Sequence, residues 1–214
     1  MAPGFLIALE GMDGAGKSTQ ARLLAKALAE RGYEVLLTRE PSEGPLGVRL
    51  RKYLAGGGRR LPPGLELAWF MADRREHVAR VLLPALAARK VVVSDRSYYS
   101  SAAYQGARGL DPDWIVALNE VFAPRPDVVF LLLLPVAEAL RRRPEAKGLW
   151  RQGEVESYLG RVSACYDRLQ GPHLVRLDAR LPPEAVHHQL LSLTLAALRR
   201  AGLSPARGIW EGKP

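Results

Sequence analysis

Gly11-Met12-Asp13-Gly14-Ala15-Gly16-Lys17-Ser18 follows directly on the apolar run Phe5-Leu6-Ile7-Ala8-Leu9 and opens an amphipathic stretch over residues 18–29. The string reads G-x-x-x-x-G-K-S between a predicted strand and a predicted helix, the place where a phosphate-gripping P-loop belongs. Glycine at the bend lets successive backbone N–H groups turn onto phosphate oxygens, Lys17 adds a point charge for the terminal phosphates, and Ser18 offers a hydroxyl to Mg2+. A glycine-rich turn capping a helix is the ordinary alternative, and the strand before it and helix after it weigh against that.

Outward from this loop the chain alternates between two periodicities. Apolar runs at residues 5–9, 34–38, 91–94, 128–134 and 174–177 predict five strands. Between them, residues 18–29 place Leu23, Leu24, Ala27 and Leu28 on one helical face, and residues 65–86 repeat apolar side chains at three- and four-residue spacing. Strands alternating with helices predict an α/β, doubly wound parallel sheet covered on both sides, with its site at the carboxyl ends of the strands. Residues 56–63 read as a loop between helices. Residues 141–153, a basic stretch interrupted by Pro144 and Gly148, form a candidate mobile lid. Its Arg141, Arg142, Arg143, Lys147 and Arg151 either swing onto phosphates or decorate a solvated helix end.

At 214 residues and 48% hydrophobic, the chain suits one domain over residues 1–214. Its 31 basic against 22 acidic residues leave a net charge of +9, which favours an anionic partner without choosing among nucleotides, nucleic acid and membrane. The basic residues are dispersed, with no arginine-aromatic stripe, so no nucleic-acid partner is expected. Cys165 stands alone, which excludes an intrachain disulfide and a cysteine-based metal cluster. The pair His187-His188 lacks metal-ligand spacing. No apolar run is long enough to span a bilayer and no basic leader precedes the first strand, so a cytoplasmic location away from membranes is expected.

The other strand ends say what the gripped phosphate is used for. Thr38-Arg39-Glu40-Pro41 follows the second strand, and Val91-Val92-Val93-Ser94-Asp95-Arg96 carries a carboxylate and a guanidinium to the mouth of the third. Asp95 is placed as a Mg2+ partner through water and Arg96 as a phosphate ligand; a surface ion pair, or for Asp95 a helix N-cap, is the ordinary alternative. Two arginines beyond the P-loop suggest a second phosphorylated molecule as acceptor, hence a kinase over a hydrolase. Phe70 and Arg74, four apart on one helical face, can hold a base between ring and guanidinium, although periodicity alone puts Phe70 in the core. Ser100, Ser101 and Gln105 begin a helix after Arg96 and offer hydroxyls and an amide to base edges.

These segments occur together and in order: residues 10–19 with the P-loop, Thr38 to Pro41, Phe70 to Arg74 with His77, and Asp95-Arg96 through Ala103-Tyr104-Gln105. In this the chain resembles the thymidylate kinase family, P-loop enzymes that phosphorylate dTMP from ATP. The resemblance spans roughly residues 5–180. It implies a five-stranded parallel sheet of the nucleoside monophosphate kinase type, a lid near residues 141–153, Mg2+ and a homodimer. It also implies that Gly11, Asp13, Gly14, Ala15, Gly16, Lys17, Ser18 and Thr19 bind ATP, with Ser18 and Asp95 on the metal. Asp13 would in addition meet the 3'-hydroxyl of the acceptor sugar, Arg39 and Arg96 its 5'-phosphate. Phe70 would stack on thymine, Arg74 would hydrogen-bond a thymine carbonyl, and Ser100, Ser101 and Gln105 would lie near the base edge. Tyr104 matches the tyrosine that crowds out a ribose 2'-hydroxyl.

Four places depart from the family pattern, one being the lid helix, which reads Leu149-Trp150-Arg151-Gln152-Gly153-Glu154 where the family opens with Asp-Arg and a nearby Glu. Gly14 stands where one branch has an arginine that stabilises the transferring phosphoryl, which shifts that role to the lid and to Arg143 or Arg151. Ser97 replaces the usual tyrosine after Asp95-Arg96, and the fourth strand ends in Leu133-Leu134-Pro135 where an Asp is common. The readings left open are dTMP phosphorylation by Mg-ATP, another P-loop nucleotide or deoxynucleoside kinase, and a nucleic-acid-associated ATPase.

Overall fold

Three strands buried along nearly their whole length, β1 (Phe5–Glu10), β3 (Val91–Asp95) and β4 (Val128–Leu133), form the centre of the molecule. The half-buried β2 (Val35–Arg39) and β5 (Leu174–Asp178) flank them in the order β2-β3-β1-β4-β5, all parallel. A parallel sheet needs helical crossovers that cover its faces, so its central strands are apolar without alternation. The computed structural model describes residues 4–56, 61–142 and 154–205. Each predicted strand is present, with bounds displaced by no more than one residue.

Around the sheet run α1 (Lys17–Ala29), α2 (Pro45–Ala55), α3 (Pro63–His77), α4 (Leu83–Ala87), α5 (Tyr98–Gly106), α6 (Pro112–Glu120), α7 (Val136–Arg142), α8 (Glu154–Arg168) and α9 (Pro183–Arg200). The first helix packs on β1, β2 and β3 and against α9, while α5 joins α3, α6 and α8 into one group. Leu23 departs from the expected face of α1: it is exposed, and the buried stripe is Gln20, Ala21, Leu24, Ala25, Ala27 and Leu28. The repeat over residues 65–86 is not one regular helix. A π-helical turn, Val78–Leu82, joins α3 to α4. Pro84 lacks the N–H that Arg80 would need and its ring crowds that carbonyl, so widening the turn relieves the conflict.

Register fixes the geometry of the functional edge. Leu9 pairs with Asp95 and Arg39 pairs with Asp95, while Glu10 pairs with Leu131. The sequence steps Glu10-Gly11, Arg39-Glu40 and Asp95-Arg96 therefore leave the sheet side by side. The lid expected at residues 141–153 falls, from 143 on, outside the described residues, and with it Arg143, Lys147 and Arg151. Among the described residues no helix is long and apolar enough to cross a membrane.

Candidate active site

Gly11 turns the chain off β1 where no other residue fits. Its φ is +135°, and a Cβ there would lie 2.4 Å from the Leu132 carbonyl oxygen. Gly16, at φ +89°, caps α1 with no side chain on the helix's first N–H groups, leaving those donors to an anion. Lys17 is buried and folds its amine back onto the Met12 carbonyl at 2.8 Å. Burial, reinforced by the Arg96 charge, lowers its pKa from 10.5 to about 8 against the pull of Asp13, Asp95 and Glu10. A phosphate chain reaching this amine would supply the counter-charge that burial withholds.

Beside it, the Ser18 hydroxyl donates to Asp95 Oδ2, and Asp95 Oδ1 is buried without a hydrogen-bond partner among the described residues. Asp95 does not cap α5; Ser97 does, its Oγ accepting the Tyr99 N–H at 3.3 Å. A serine hydroxyl against a carboxylate with a spare buried oxygen is a hard-oxygen donor set, and it fits Mg2+ held partly through water. No group of three or more His, Cys, Asp or Glu that could cage a metal occurs among the described residues.

Arg96 has φ +80°, a left-handed conformation costing a non-glycine residue about 1–3 kcal/mol. Its backbone is held on both sides: its N–H donates to Leu9 O at 3.0 Å and its carbonyl accepts from Ser94 Oγ at 2.7 Å. The guanidinium thereby turns toward the P-loop, pairs with Asp13, donates to Ser100 Oγ at 2.9 Å and lies 5.3 Å from the Tyr104 ring centre. Tyr104 in turn accepts the Asp13 N–H at 3.2 Å. Behind them Glu10 is wholly buried and gathers Ser97 N–H (2.7 Å) and Oγ (2.9 Å), Ser100 Oγ (2.6 Å) and the Tyr166 hydroxyl (2.9 Å). One carboxylate thus ties β1, the start of α5 and α8 together at the root of the Gly11–Ser18 loop. Ser97, where the family pattern has tyrosine, is one of its ligands.

The segment delivering Arg39 is clasped by α3. Asp73 accepts the Ser42 N–H at 2.8 Å and the Ser42 hydroxyl at 2.5 Å, His77 Nε2 meets Thr38 Oγ1 at 2.7 Å, and Arg74 Nε donates to Glu40 Oε2 at 2.7 Å. Burial works to raise the Glu40 carboxyl, but Arg74 and His77 outweigh it and hold the group below its ordinary range. Arg39 is exposed and ion-paired with Glu43. Arg74 is buried, and besides Glu40 it donates to Asn119 Oδ1 at 2.7 Å and Ser101 Oγ at 3.2 Å. Phe70 is half-buried and is not among the side chains packed against the core, unlike the expectation from periodicity alone.

Of the residues singled out in the sequence, Lys17, Ser18, Asp95, Arg96, Asp13 and Tyr104 converge on one spot. Arg74 meets Ser101, and Gln105 meets Glu66, where α3 packs on α5. Ser100 joins the Arg96 and Glu10 group instead of its neighbour Ser101. Thr19 is exposed on α1, one step beyond the loop. Residues not singled out are Glu10, Glu40, Glu66, Asp73, Asn119 and Tyr166. A carboxylate at the last position of a strand opening a P-loop was the one signal for Glu10.

The comparisons with known proteins fit this arrangement. The family model for thymidylate kinase matches residues 9–190. A probable thymidylate kinase of Thermococcus kodakarensis is 43% identical over 196 residues, 87% of this chain and 95% of the relative. One from Thermococcus gammatolerans is 52% identical over 146 residues, 65% of this chain and 70% of the relative. The thymidylate kinase of Desulfotalea psychrophila is 38% identical over 200 residues, 93% of this chain and 98% of the relative. Matched over most of its length by the family model and by these relatives, the chain belongs to the thymidylate kinase family.

Proposed function

We propose that the protein transfers the γ-phosphoryl group of Mg-ATP to the 5'-phosphate of dTMP, releasing ADP and dTDP on the way to dTTP. The observation that carries this is the register that aligns Arg39 with Asp95 and Asp95 with Leu9 at the edge where the P-loop leaves β1, while Arg74 donates to Ser101 between α3 and α5; we read these as two anion grips and a base site around one edge. In the transfer an acceptor phosphate oxygen bonds to the γ-phosphorus as the bond to ADP breaks. Such chemistry asks for positioning and charge neutralisation. Arg96 and Arg39 hold the acceptor phosphate, Lys17 and the α1 N-terminus hold the donor, and Asp13 meets the acceptor sugar. Ser18 and Asp95 would hold Mg2+, which neutralises charge on the donor phosphates.

Gly14 leaves the transferring phosphoryl without a P-loop arginine, and that role falls to Arg143 or Arg151 of a lid over residues 141–153 of one domain. Supporting it, Arg142 at the end of α7 already donates to the Gly14 carbonyl at 3.4 Å and to the Ala179 carbonyl at 3.1 Å. A coupled assay for ADP release with dTMP, dUMP, UMP and thymidine as acceptors tests the reading. dTMP is expected to be the best acceptor; nucleic-acid-stimulated ATP hydrolysis without dTMP-dependent turnover would replace it with an ATPase.

Phe70→Ala is expected to raise the KM for dTMP about 10-fold or more, as loss of one base-stacking ring does, and to leave the KM for ATP within a factor of about two. Equal losses for both substrates would make Phe70 a packing residue. We infer a cytoplasmic homodimer. Leu65 and Trp69, four apart on α3, are large and exposed, a face suited to a second copy. Light scattering on the eluting protein should give twice the 23.5 kDa chain mass; a monomer at micromolar concentration would count against the dimer.

A further inference from the structure

The helices α3 and α5 meet with their residues paired in reverse order. Arg74 donates to Ser101 Oγ at 3.2 Å toward one end, and Gln105 Nε2 donates to Glu66 Oε1 at 3.1 Å toward the other. Glu66, Phe70 and Arg74 recur every four residues on α3, as Ser101 and Gln105 do on α5. Helical periodicity therefore sets Phe70 between two polar rungs. A flat ring seated on Phe70 would meet polar groups on both sides.

Glu66 decides which end of the Gln105 amide is available. Its carboxylate is wholly buried, ion-paired to Arg108 and bonded by the Tyr53 hydroxyl at 3.0 Å. A carboxylate in that state only accepts, so the amide must turn its NH2 toward Glu66 and its oxygen away. Gln105 is 2% exposed, and its Oε1 is buried with no hydrogen-bond partner among the described residues. Buried acceptors in folded proteins are matched by donors, and here none of the described residues supplies one.

We propose that Glu66 is a specificity-positioning residue. By tethering Gln105 through Nε2 it fixes Oε1 as an acceptor for the ring N–H of a 2,4-dioxopyrimidine, directly or through one water, and against cytosine, whose ring nitrogen at that position is itself an acceptor. The inference rests on the acceptor-base reading of the slot given above. With Glu66 neutralised the amide turns over freely, and the slot offers a donor to cytosine as readily as an acceptor to thymine.

The test is kcat/KM for dTMP, dUMP and dCMP at saturating ATP in the wild type, Glu66→Gln, Gln105→Leu and the double variant. The dTMP-over-dCMP ratio is expected to fall about 10-fold or more in each single variant, since a site built around one hydrogen bond discriminates at least on that scale. The dTMP-over-dUMP ratio should hold, because both bases carry the ring N–H and differ only in a methyl group. Acting through one amide, the two substitutions should not add in the double variant. Gln105→Leu leaves Glu66 with Tyr53 and Arg108, so it decides the matter if Glu66→Gln does not fold. An unchanged dTMP-over-dCMP ratio in either folded single variant, or losses that add, would overturn the proposal while leaving dTMP as the substrate. A wild type that phosphorylates none of the three would instead overturn the acceptor reading, and this inference with it.

Discussion

Lys17→Ala is expected to cut dTMP-dependent ADP release by about 10²- to 10³-fold, the scale on which removing one preorganised charge from a transfer site acts, with the fold retained. Near-wild-type turnover in this variant would sink the assignment of the loop. The same amine should be a liability to stability, and the sign follows from its pKa. In the folded chain it titrates near 8 against an ordinary 10.5, chiefly because it is buried. Below pH 8 both states hold the proton and burial opposes folding, on the order of 3 kcal/mol for a shift of this size. Between 8 and 10.5 the folded state gives up its proton first, the unfolded state binds more, and stability from this group rises with pH. Lys17→Met, which keeps the apolar stem, is therefore expected to melt above the wild type at pH 7, with the gap narrowing by pH 9.5. A gap that widens would reverse the sign assigned to this lysine. Phosphates bound at Lys17 should restore its charge, so the KM for ATP in the wild type should climb above pH 8.

Chemistry that is local in sequence is what could be read before the structure. The P-loop's glycines, Lys17 and Ser18 sit within eight consecutive positions, and the central strands announce themselves because a parallel sheet buries both faces. Arg96 was identifiable as a phosphate ligand from its place after an apolar strand. The group behind it was not, since Glu10, which accepts from Ser100, lies on β1, and Tyr166 reaches Glu10 from α8 across 156 residues of chain. Nothing in the local pattern of α8 marks that tyrosine. Glu66 was passed over for a similar reason: on a helix a charged residue is ordinarily solvated, and only the packing of α5 onto α3 buries this one. Leu23 failed as a face residue because it lies one step off a stripe set by Leu24 and Leu28. Pro84 carried a signal that the long helix is disturbed, which the reading of residues 65–86 as one repeat passed over.

Arg74→Ala is expected to cost about 3–5 kcal/mol of stability in urea unfolding at pH 7, the range for removing one partner of a buried ion pair. Sequence alone offered Arg74 as a base ligand, whereas the structure gives it a second role, because its guanidinium is the main force holding the Glu40 carboxyl below its ordinary 4.5, with His77 assisting at 3.3 Å. The stability contributed by that ionised carboxyl is present above pH 4.5 and is lost as pH falls through the lower folded value. Without Arg74, burial is opposed by His77 alone, the carboxyl moves upward, and protonating it becomes favourable. The deficit of the variant should therefore shrink as pH is lowered from 7 toward 4.5. The two roles separate in Glu40→Gln/Arg74→Gln, where no charge is stranded in the core. That double variant is expected to regain most of the stability lost by Arg74→Ala, yet to keep a KM for dTMP about 10-fold or more above wild type, as loss of a charged hydrogen bond to a base carbonyl implies. Full recovery of both would confine Arg74 to holding the Glu40 segment, and the base would then have to be read by Ser101 and Gln105 without it.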